Sequence, residues 1–143
     1  MGRRQGLTPL WLSHHDPGAY DRCVVVAGRH VCRRCLVLYP LAFVVLVVAQ
    51  TSGWSGPTEA LALVALPLPA VIEFVLEHRG VIRYSPARQV LVTIPLAVAL
   101  GAGFDRYLDR PGDPLFWSTV VAYTAVCLWS ALAHGRDDQN RLR

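Results

Sequence analysis

Three of the four cysteines and three of the five histidines fall within the first 35 of 143 residues. They read Ser13-His14-His15-Asp16, then Asp21-Arg22-Cys23, then Gly28-Arg29-His30-Val31-Cys32-Arg33-Arg34-Cys35. Thiolate and imidazole are the donors that zinc takes in structural sites, and a Cys-x-x-Cys turn presents two sulfurs to one centre about 2.3 Å from each. Residues 23–32 have the pattern of a small hairpin, with Val24, Val25 and Val26 as strand formers and Ala27-Gly28 at the turn. Such a hairpin returns Cys32 beside Cys23. Cys23, Cys32, Cys35 and His30 then supply a Cys3His set for a metal, with zinc the expected cofactor; His14 or His15 could reach the same centre from the preceding loop.

The same residues permit other chemistry. Arg33 and Arg34 lie between Cys32 and Cys35, and adjacent positive charge favours thiolate. That suits a membrane thiol–disulfide oxidoreductase. A third reading leaves the thiols inert and makes the arginine-rich segment a docking face for a membrane or cytoplasmic protein partner. A second copy of the chain is a further candidate partner. A structural disulfide is disfavoured on a reducing side of the membrane. Cys127 reads as a small apolar packing residue.

The elements that must hold this cluster are apolar. Residues 36–49, 60–76, 90–104 and 115–133 contain one ionisable acid or base between them, Cys and Tyr apart, and that residue is Glu73. Hydrophobic residues make up 53% of the chain and charged residues 17%. A helix needs about 20 apolar residues to cross a bilayer core about 30 Å thick. The first stretch reaches that length by extending to Trp54, and the third by starting near Ala87. The expected fold is therefore an all-α integral membrane protein. It has a Cys/His-containing segment at residues 1–35, a four-helix transmembrane bundle at 36–133 and a solvated, disordered polar tail at 134–143. Lipid bilayer is its main partner. Pro67 and Pro69 predict a kink in the second helix, since a prolyl ring clashes with the preceding turn and lacks an N–H.

All fourteen basic residues are arginine, a bias that suggests a GC-rich bacterial genome. With four crossings, twelve of the fourteen lie on one side, because only Arg106 and Arg110 fall between helices three and four. Cytoplasmic flanks collect such charge. The expectation is a multi-pass protein of the bacterial inner membrane with both termini cytoplasmic, whose first helix, without a cleavable signal peptide, directs insertion. The net charge of +4 then reflects topology and not nucleic-acid binding.

An acid inside a span is costly and by default functional. Glu73 and Glu77 are four apart and share a helix face, with His78 next to Glu77. They sit at the depth of Cys35, where Glu73 could orient a ligand histidine, ligate the metal or act as a base on bound water. Glu73 could equally pair with Arg33, Arg34, Arg79 or Arg88, or snorkel to the interface. No phosphate-binding glycine loop, GxSxG elbow or HExxH pair is present, so the common nucleotide-binding and hydrolase classes have no foothold. No reaction class follows from the sequence.

Around Cys32-Arg33-Arg34-Cys35-Leu36-Val37-Leu38-Tyr39 the chain resembles a family of small bacterial membrane proteins known as domain of unknown function 2085. In that family a Cys-x-Arg-Cys-x-Gly-x-Tyr motif runs directly into a membrane helix. Cys32, Arg34, Cys35 and Tyr39 match it, and Val37 stands where the family has glycine. Pro69, Glu73, Gly80 and Arg88 are similar to a further proline, acid, glycine and arginine pattern, so the resemblance covers roughly residues 20–105. It implies a membrane location and a shared cysteine-containing site, and it carries no activity.

Overall fold

The computed structural model describes residues 17–54 and 56–141, with side chains at 20–54 and 56–133. His14 and His15 lie outside the described residues. A 3-10 turn, Pro17–Arg22, leads into strands β1 (Cys23–Val26) and β2 (Arg29–Cys32). They are followed by helices α1 (Arg33–Ser52), α2 (Pro57–Ala65), α3 (Leu68–His78), α4 (Pro86–Asp109) and α5 (Pro114–Arg141). The strands pair antiparallel, Cys23 opposite Cys32 and Val25 opposite His30. Ala27 (φ 49°) and Gly28 (φ 77°) both adopt left-handed backbone at the turn. Two successive positive φ angles match the right-handed twist of a two-residue hairpin.

Four segments are long and apolar enough to cross a membrane: Arg33–Ser52, Pro57–His78, Pro86–Asp109 and Pro114–Ala133. The chain is thus a multi-pass membrane protein in which α2 and α3 together make the second span. The expected kink is a full break. Pro67 and Pro69 cannot donate to the carbonyls four residues back, so the helix ends at Ala65 and restarts at Leu68. The Tyr123 hydroxyl on α5 donates to the carbonyl of Val64 at this break. A neighbouring helix thereby supplies a donor at the point where the proline break weakens the backbone ladder. The expectation of a disordered tail gives way over residues 134–141, because α5 stays helical to Arg141. Extending an existing helix costs little, since each added residue brings its own hydrogen bond.

The interior is built from small and polar residues. Thr93, Ala97, Ala49, Ala102 and Ser130 are almost completely buried, whereas Phe43, Leu61, Leu91 and Trp129 are more than half exposed. That is the reverse of a water-soluble core. Lipid tails are as apolar as leucine, so large side chains gain nothing by turning inward, and helices associate through close approach of small residues. The most extensive packing is α1 against α4. A Cβ added at Gly101 on α4 would lie 2.6 Å from the Ala42 carbonyl oxygen and 2.7 Å from Val45 Cβ on α1.

A second fastening lies at the face formed by the α1–α2 and α4–α5 connections. Arg106 donates from Nη2 to Asp113 Oδ2 at 2.9 Å, and its Nη1 lies 3.3 Å from Glu59 Oε2. Asp113 also accepts the Phe116 N–H at 2.9 Å, capping α5. The hydrogen bond from Arg106 and then the Phe116 N–H lower the Asp113 carboxyl to about 2 from its usual 3.8.

Two outcomes follow. Gly101→Ala pushes α1 off α4 and costs about 1–3 kcal/mol, read as a lower thermal midpoint of the detergent-solubilised protein. Gly112→Ala, with nothing within 4 Å of the added Cβ, leaves the midpoint unchanged. Asp113 has a depressed folded-state pKa, so the stability it contributes is present above 3.8 and is lost as pH falls through about 2. Asp113→Asn removes that acid-side decline from thermal melts recorded between these two pH values.

Candidate functional site

At the opposite face, which carries the hairpin and the α3–α4 connection, the backbone places three cysteines on neighbouring elements. The hairpin register puts Cys23 directly across from Cys32. Cys32 is the N-cap residue of α1, with no side-chain capping hydrogen bond, and Cys35 lies in the first turn. Cys35 therefore follows Cys32 by three residues across the start of the helix. Cys23 and Cys32 are buried, Cys35 is half-buried, and none is in a disulfide. Burial pushes the Cys23 thiol above its usual range, the nearby Cys32 and Asp21 add to the shift, and Arg33 opposes it.

His30 is on the same face of β2 as Cys32 but two residues away, roughly 6–7 Å along the strand. Its ring stacks on Tyr20, with centroids 3.9 Å apart and planes 13° from parallel. Among the described residues, no three His, Cys, Asp or Glu side chains gather in an arrangement that would hold a metal ion. The expected Cys23, His30, Cys32 and Cys35 tetrahedron is therefore not assembled as the side chains stand. Cys127 is far along the sequence on α5, where it lines an apolar trough.

Of the readings open to Glu73, ion pairing is the one its surroundings show. Its carboxylate, 3% exposed, lies between two guanidiniums. Arg34 Nη2 on α1 donates to Oε2 at 3.0 Å, and Arg88 Nε on α4 donates to Oε1 at 3.1 Å. Three helices are thus joined through one acid on α3. Of the four arginines named as pairing candidates, Arg34 and Arg88 are the two it meets. Glu77, one turn on, pairs with Arg22 at the end of the 3-10 turn. The Arg22 guanidinium also lies over the Tyr84 ring, 4.7 Å from its centroid. His78 turns back on its own helix, where Nδ1–H donates to the Phe74 carbonyl at 2.8 Å and the two rings pack together. Glu73 and Glu77 thus tie the hairpin end of the bundle together, while His78 packs within α3.

The sequence reading missed Glu59. It precedes the second apolar stretch, yet it is 4% exposed and pairs with Arg106. Two signals were present: Pro57-Thr58-Glu59 opens a helix with an acid in its first turn, and Asp113-Pro114 is an N-cap followed by a first-turn proline.

Removing Glu73 strands two guanidiniums beside each other. Glu73→Gln is expected to cost about 3 kcal/mol, the low end for breaking a buried pair because both arginines keep some exposure. Arg88→Gln costs less, since Arg34 still neutralises the carboxylate. Thermal midpoints of the two variants in one detergent give the ranking.

No protein-family model, curated protein or solved structure matches the chain.

Proposed function

We propose that Cys23, Cys32 and Cys35 form a soft-metal site, with zinc the expected ion, that clamps the hairpin to the start of α1 at the cytoplasmic surface of a bacterial inner-membrane protein. The observation that carries this reading is the backbone placement of three cysteines: Cys23 opposite Cys32 in register, and Cys35 three residues on in the first turn of α1. Two sulfurs on a tetrahedral zinc stand about 3.8 Å apart, as 2.3 Å bonds require. Binding requires the three side chains to turn toward one centre. His30 is the fourth donor within the hairpin, and reaching the metal requires it to leave Tyr20.

The arginine distribution supports the orientation, with the hairpin, the α3–α4 connection and both termini on the cytoplasmic side. In that compartment thiols persist as metal ligands and not as a structural disulfide. The role is structural. Glu73, the acid that could have served as a base, is held by two arginines, so the site has no free carboxylate from this group for a bound water.

Elemental analysis of the full chain purified in detergent tests the reading. About one zinc per chain is expected in the wild type and in Cys127→Ser, with at least a tenfold loss in Cys35→Ser. Circular dichroism confirms that each variant remains helical. His30→Ala reports on the fourth donor. Metal content indifferent to Cys35 overturns the proposal. A metal-free wild type that is reversibly oxidised by one equivalent of a disulfide, forming the Cys32–Cys35 disulfide and releasing two reduced thiols, favours the oxidoreductase instead.

A further inference from the structure

The four spans do not close on one another completely. Between α2, α3, α4 and α5 runs a trough of about 590 Å³. That volume lies within the ~300–1,000 Å³ range of small-molecule sites. Its walls include Leu63, Phe74, Leu100, Thr124 and Leu128, with Arg34 at one end. On α5 the lining runs from Phe116 to Ala131, a rise of about 22 Å at ~1.5 Å per residue. The trough therefore follows most of the bilayer core. Val120 and Leu128 line it and are themselves well exposed, so it is open sideways to lipid. Two hydroxyls in the wall are already engaged: that of Tyr123 donates to the Val64 carbonyl, and Thr119 Oγ1 donates to the Leu115 carbonyl at 2.8 Å.

Among the described residues, Arg34 and Arg88 at the hairpin end share a single carboxylate, Glu73, leaving one positive charge in excess. Arg34 Nε is buried and, among the described residues, has no hydrogen-bond partner. A charged donor without an acceptor in a low-dielectric setting is costly. An anionic oxygen at this point would relieve both the missing bond and the surplus charge.

We infer that the trough holds one acyl chain of an anionic glycerophospholipid from the surrounding bilayer, with its phosphate at Arg34. A long apolar channel ending in one excess cation at the hairpin face of the membrane has the amphipathic outline of such a lipid, headgroup at the interface and chain toward the midplane. This occupancy depends on Arg34 and the helices, and not on metal at the thiols.

Native mass spectrometry of the full chain in detergent, titrated with dioleoyl phosphatidylglycerol or dioleoyl phosphatidylcholine, tests it. One phosphatidylglycerol per chain is expected to survive activation that strips phosphatidylcholine, with a preference of about tenfold. Arg34→Gln leaves Glu73 paired with Arg88 and is expected to abolish the preference while chain uptake continues. Thr124→Trp, and independently Ala131→Leu, fill the trough and remove the retained lipid of either kind. Equal retention of the two lipids by the wild type overturns the inference. So does retention unchanged by both filling variants, or a lipid-free dimer that buries α5.

Discussion

A single carboxylate inside the membrane, Glu73, sets much of what surrounds it. A lone charge at that depth is costly, so the chain must bring cations to it. Arg34 comes from the start of α1 and Arg88 from the start of α4, and each can reach only if α1, α3 and α4 stand side by side at that face. The acid therefore selects one arrangement of helices among those that small-residue packing alone would allow. Arg106, Glu59 and Asp113 impose the same requirement at the other face, linking α2, α4 and the cap of α5. The two clusters have opposite balance: two arginines to one acid at the hairpin face, and two acids to one arginine at the other.

Between these charged ends the bundle is held by close approach more than by burial of large side chains. Gly101 lets α4 settle against Ala42 and Val45 of α1, and the near-complete burial of Ala97, Ala102 and Thr93 continues that contact. The last helix is treated differently. It leans mainly on α3, is tied to the α2–α3 break by Tyr123, and touches α4 only lightly. The proline break and the trough are thus connected. The break bends the second span, α5 follows α3, and a space remains between α5 and α4 that lipid can fill.

The hairpin depends on this frame in turn. Arg22 pairs with Glu77, and Arg34, next to the Cys-x-x-Cys thiols, pairs with Glu73. The position of Cys23 and Cys32 relative to the membrane is therefore set by the same acids that assemble the helices. A residue that looked like an addition to the cysteine site proves to belong to its foundation.

The sequence by itself determined the number of spans, their rough limits, the hairpin at 23–32 and its Cys23–Cys32 pairing. Each is a local matter: apolar length, strand-forming valines and a two-residue turn are written in consecutive residues. It also showed that Glu73 was exceptional and named Arg34 and Arg88 among its partners. It did not choose between them and a metal, because nothing local says which distant helix comes alongside. Tertiary structure alone decided that Glu73 is doubly paired, that Glu59 is buried on Arg106, that His30 lies on Tyr20, and that α5 leaves a trough. All four depend on how helices far apart in the chain approach one another, and that distance is set by side chains on both partners together.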